Sequence, residues 1–132
     1  MGAWGTRNFE NDGSQDWVFD LIENKDGGLV TDTLARILNN HEKLEVSDCE
    51  EGLAAAETVA ALVGRASEDY PEDPMEKLDI LNLIGTKALR NQAIAVVNKI
   101  LADSEMKKYW DEQGELGSWE NVQAGLVKRL EI

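Results

Sequence analysis

An all-α fold is what this chain predicts, a single compact domain over residues 1–132 built as a bundle of five to seven helices behind an ordered, irregular N-terminal strap. Three observations carry the prediction. Apolar residues recur at three- and four-residue spacing along nearly the whole chain, no segment alternates long enough for a strand, and Gly, Asn or Pro stands where most of the apolar stripes fade. A chain this long can bury about two-thirds of its unfolded surface without metal or disulfide support, and its one cysteine excludes an internal disulfide.

The strap, residues 1–13, opens Met1-Gly2-Ala3-Trp4-Gly5-Thr6-Arg7-Asn8-Phe9 and has neither helical nor strand period. It is too apolar to float and too rich in glycine to be helical, so Trp4, Phe9 and the following Trp17 should pack on the core. Trp17, Val18, Leu21 and Ile22 predict a first helix, capped by Asp12 or Ser14 and ended near Asn24. Leu34, Ile37 and Leu38 predict a second, entered at Thr31 or Asp32 and fading at Asn39-Asn40. Ser47 and Glu50 have the spacing of a capping box for a third helix that runs to Gly64. An acidic connector, residues 65–74, carries both prolines, Pro71 and Pro74; a fourth helix follows with Pro74 in its first turn and Leu78, Leu81 and Ile84 on its face. Leu89, Ala93, Val96, Val97, Ile100 and Leu101 form a long stripe, with Gly85 before it as a break or a close contact. Ser104 should cap a short helix carrying Met106, Tyr109 and Trp110 as far as Gly114, and Ser118 a last one with Trp119, Val122, Leu126 and Leu130.

The net charge of −13 is unevenly placed. Residues 1–80 hold 19 of the 26 acids and 6 of the 13 bases, whereas residues 81–132 are neutral. Six acids and one lysine lie between Glu68 and Asp79. A surface of this sign offers nothing to neutralise phosphates, which argues against direct binding to duplex nucleic acid, and it would steer in a basic protein. Glu68, Asp69, Glu72, Asp73 and Glu76 are the partner-binding candidates, held outside regular helix by the prolines. No apolar run reaches the length of a membrane span, so no membrane is expected, and a lone thiol suits the cytoplasm.

The sharpest local oddity is Glu57, the only charged residue from Gly52 to Gly64. Its helix is apolar all round, so it should be central and the carboxylate buried. A buried carboxylate needs donors or a proton. The strap can supply donors through its backbone N–H groups between Gly2 and Thr6, the Trp4 indole or the Arg7 guanidinium. The residue then reads as a structural clamp; a catalytic acid and a groove-exposed carboxylate are the other readings. Asn11, Asp12 and Asp16 cluster at the first helix, but placing Gly13 at the sixth position of a calcium loop puts Phe19 where the bidentate Glu belongs. No metal or cofactor is expected: His41 has no second histidine, and Cys49, flanked by Asp48, Glu50 and Glu51, reads as a small buried hydrophobe.

Gly2-Ala3-Trp4-Gly5-Thr6, Phe9-Glu10-Asn11-Asp12 and Asp16-Trp17, with Ala54–Leu62 and Ile100–Met106 plus Trp110 further on, resemble a small, mostly bacterial family, the domain of unknown function numbered four-two-five-nine. The chain departs from its usual opening at Arg7-Asn8 and at Gly13-Ser14. The resemblance implies a helical fold over nearly the whole chain and no activity. From the residues themselves the first functional expectation is a non-enzymatic acidic interaction module for a basic partner, an immunity-type inhibitor being one concrete form. The alternative is a small hydrolase or ligand-binding protein using Glu57 with Asp12 or Asp16 in a pocket lined by tryptophans, and a third reading is a homodimer joined through the last helix.

Overall fold

A computed structural model of the chain describes residues 3–131; Met1 and Gly2 of the strap, with the Gly2 N–H expected as a donor, lie outside the described residues. Seven α-helices stand among the described residues: α1 (Asp12–Asn24), α2 (Gly27–Asn39), α3 (Val46–Leu62), α4 (Glu72–Glu76), α5 (Lys87–Ala102), α6 (Glu105–Glu112) and α7 (Leu116–Leu130), with a 3-10 helix (Leu78–Leu81) between α4 and α5.

The third helix is the axis of the bundle, touching α1, α2, α5, α6 and α7. Its composition explains this. Ala54, Ala55, Ala56 and Ala60 are fully buried, and small side chains let neighbouring helices approach on every side. At Gly52 a Cβ would come within 3.1 Å of Ile37 and 3.4 Å of Val96 and Ile100, so α2 and α5 close over the helix at this point. One continuous core results, running from Phe9 of the strap to Leu130 of α7. Lys99 of α5 ties the C-terminal end of α2 to it by donating to the carbonyls of Ile37, Leu38 and the capping residue Asn40 (2.7, 3.2 and 2.6 Å).

Several helix starts differ from those expected. Asn11 caps α1, its Oδ1 accepting from Ser14 N at 2.8 Å, whereas Asp12 stands in the first turn and Ser14 is buried inside the helix. The second helix begins at Gly27 rather than Thr31 or Asp32. Gly27 reads as a breaker, yet the Leu81 carbonyl lies 2.6 Å from where its Cβ would be, so a glycine is what lets the helix start against the 3-10 turn. The cap of α3 is Glu45, whose N–H is received by Asp48 at 3.1 Å, two residues ahead of the Ser47 and Glu50 pair. Gly64, at φ +79°, ends the helix as expected. The prolines do not keep the acidic connector out of helix: Pro71 precedes α4 and Pro74 lies within it, where its missing N–H would have no helical partner. Ile84 leaves the fourth stripe altogether and is 77% exposed. Ser104 caps α6 as expected, but α7 starts at Leu116, ahead of Ser118.

Candidate functional site

The strap is a tight loop. Trp4 N donates to Glu10 O (2.9 Å), Glu10 N to Arg7 O, and the Glu10 carboxylate folds back to receive Arg7 N at 3.0 Å. Gly5 makes room for that carboxylate: a Cβ there would meet it at 2.5 Å, and the Glu10 side chain would have to swing away. Phe9 drives the loop into the core and meets Tyr70 edge-on, ring centroids 4.8 Å apart. Asp69 receives Phe9 N at 3.0 Å, so this acid of the connector is engaged inside the molecule rather than presented outward. Trp17 is buried and donates its indole N–H to Thr33. Trp4, expected to pack, is 60% exposed.

Glu57 is 1% exposed and fully hydrogen-bonded. The strap does supply a donor, but it is neither Trp4 nor Arg7: Asn8 Nδ2 reaches Glu57 Oε2 at 2.9 Å. The countercharge comes from the other end of the chain, where Arg129 of α7 donates Nη1 to Oε1 (2.8 Å) and Nη2 to Oε2 (3.2 Å), a bidentate pair. Asn8 in turn exchanges two amide hydrogen bonds with Gln123 of α7. Strap, central helix and terminal helix are thus latched by four polar side chains, three of them buried. Thr58, next to Glu57, shares a 2.9 Å hydrogen bond with the Tyr70 hydroxyl, and burial holds that phenol well above the ordinary tyrosine range.

A cleft of about 410 Å³ opens over this latch, with Arg7, Ser67, Glu68, Asp69, Asn121 and Arg129 among its walls. Asp12 and Asp16 are not among them; both stand exposed on α1. Trp110 and Trp119 line a different space beneath the strap, of about 10 Å³, room for roughly one water molecule. Cys49 is fully buried; burial pushes its thiol up to about 11 although the Ser104 hydroxyl pulls it down. His41 is exposed.

On the far side of α1 the charges gather. Asp12, Asp16, Asp20 and Glu23 recur at helical spacing on its exposed face, and α4, carrying exposed Glu72, Asp73 and Glu76, packs beside it. Between them runs a groove of about 580 Å³, mostly apolar, where Phe19, Ile22 and Ile80 are flanked by Glu23, Asp73, Lys25 and Lys77. Lys77 is engaged by Asp73 one turn away at 3.1 Å.

Residues 2–122 match the family model described as Domain of unknown function (DUF4259). The chain belongs to this family. No curated protein and no solved structure matches it. The DUF4259 span takes in Asn8, Glu57 and the acidic face of α1 and α4, and stops just short of Gln123 and Arg129, the two residues through which α7 completes the latch.

Proposed function

We propose that this protein is a non-enzymatic docking module of the bacterial cytoplasm that binds a basic partner protein through the acidic face of α1 and α4. The observation that carries the reading is the groove at Phe19, Ile22 and Ile80: an apolar floor with Glu23 and Lys25 on one side and the Asp73–Lys77 pair on the other, set within the exposed acids of α1 and α4. Phe19 is 45% exposed at this groove, the arrangement of an apolar centre inside a charged rim that protein interfaces use. Its complement is an amphipathic basic helix, apolar side down, with Lys or Arg reaching Glu23 and Asp73 at the groove and, beyond it, the exposed Asp16 and Asp20 of α1 and Glu72 and Glu76 of α4. Inhibition of a basic toxin or nuclease by occupying its cationic surface is a concrete form of this activity. A lone buried thiol suits a reducing compartment.

The test is fluorescence anisotropy of a labelled peptide with Lys and Leu at helical spacing. Glu72→Gln/Asp73→Asn/Glu76→Gln and Phe19→Ser should each weaken binding. A control removing the same charge elsewhere, Glu112→Gln/Glu115→Gln/Glu120→Gln, should not. Equal weakening by patch and control variants would reduce the charge to a solubility device and end the proposal.

A further inference from the structure

The cleft over the latch holds donors that the fold leaves unused. A guanidinium carries five N–H groups in one plane. Arg129 spends both Nη1 hydrogens, on Glu57 Oε1 and on Arg65 O (3.0 Å), and one Nη2 hydrogen on Glu57 Oε2. The remaining Nη2 hydrogen and the Nε hydrogen lie side by side on the same edge of the group, the spacing that accepts a carboxylate bidentately. Arg129 lines the cleft, and its side chain is 25% exposed. Ser67 lines the same cleft, and its Oγ is buried and has no hydrogen-bond partner among the described residues. Arg7 adds a second guanidinium with no side-chain partner among the described residues.

The same cleft carries the opposite sign. Glu68 is exposed and unpaired among the described residues, and Asp69 has its Oδ1 left once Oδ2 has received Phe9 N. An inorganic dianion would face three carboxylates here, and a simple cation two guanidiniums; a molecule bearing both charges meets a partner for each. The volume falls in the range of about 300–1,000 Å³ typical of small-ligand sites.

We propose that this cleft binds a small zwitterion of the amino-acid class, its carboxylate on the free edge of Arg129 and on Ser67 Oγ, its ammonium group on Glu68 and Asp69. The site shares no residue with the α1–α4 groove, so its success or failure is separate from that of the docking surface.

The experiment is a titration of ¹⁵N-labelled protein with each of the common amino acids in millimolar excess, following the Arg129 Nε–H cross-peak. At least one amino acid should shift that peak saturably, while acetate and methylammonium alone should not. Ser67→Ala and Glu68→Gln, neither of which removes a core contact, should raise the Kd of that amino acid by about three- to ten-fold with the melting temperature unchanged. Glu72→Gln/Asp73→Asn/Glu76→Gln should leave it as it is. A peak that none of the amino acids moves, a shift that acetate reproduces in full, or unaltered binding by both cleft variants would each overturn the proposal.

Discussion

Arg129 and Glu57 form one ion pair, yet removing either should not cost the same. In Arg129→Ala the Glu57 carboxylate, 1% exposed in the intact protein, keeps Asn8 Nδ2 as its only remaining donor among the described residues. Leaving a buried charge unpaired in this way costs about 3–5 kcal/mol. In Glu57→Ala the orphan is Arg129, which is 25% exposed and opens on the cleft, so water can take over its lost bonds. That variant should lose less, about 2–3 kcal/mol. Glu57→Gln offers little relief, because every group facing the carboxylate is a donor and one of them would meet the amide NH₂. Replacing both residues by Met should recover most of the loss, since an apolar pair leaves no charge stranded. The assay is urea unfolding at neutral pH, followed by tryptophan fluorescence and circular dichroism. At roughly 4 °C per kcal/mol for a domain of this size, Arg129→Ala should also melt more than 10 °C lower. An Arg129→Ala variant costing under about 1 kcal/mol, or less than Glu57→Ala, would refute the reasoning.

The strap should be worth as much as its one buried ring. Phe9→Ala should cost about 3–5 kcal/mol, and Trp4→Ala no more than about 0.5 kcal/mol, in the same unfolding assay. Cys49 should resist iodoacetamide until the protein unfolds. Because its thiol titrates near 11 when folded against 9.0 as its ordinary value, stability should be intact below pH 9 and fall as pH rises through that interval, with buried Tyr70 extending the loss upward. Glu50 is held above the ordinary carboxylate range by burial first and then by Glu51 and Asp12. Its stability contribution is therefore present in acid and lost as pH rises through its folded pKa, so Glu50→Gln should raise the melting temperature at neutral pH by a few degrees at most, with the gain vanishing in acid.

The helical bundle was legible because its signal is local. The α5 stripe, the Ser104 cap and the Gly64 and Gly114 stops each lie within a turn or two of the residues they govern. Helix starts were harder wherever tertiary contact reverses a local preference: Gly27 breaks a helix in isolation but begins one where the Leu81 carbonyl leaves no room for a side chain. The burial of Glu57 could be read from the apolar helix around it. Its partners could not, since Asn8 lies 49 and Arg129 72 residues away, and nothing local distinguishes Arg129 from other basic residues near a helix C-terminus. One signal was available: Gln123 interrupts the stripe of Trp119, Leu126 and Leu130 at a position that faces the core, and a buried amide must have a partner. The connector misled in a different way. The six acids from Glu68 to Asp79 look equivalent in sequence, but Asp69 is drawn inward by the Phe9 N–H while Glu72, Asp73 and Glu76 ride outward on α4.

The docking surface is tested most directly by the rate at which it captures a cation. In stopped-flow mixing with the Lys and Leu peptide, association with the wild-type protein should slow steeply as ionic strength rises, because the acid faces of α1 and α4 act over the Debye length, about 8 Å at physiological salt. Glu72→Gln/Asp73→Asn/Glu76→Gln should associate more slowly at low salt and with a shallower salt dependence, while its dissociation rate changes little. The same association rate and the same salt slope in wild-type and variant protein would contradict the assignment of this face as the docking surface.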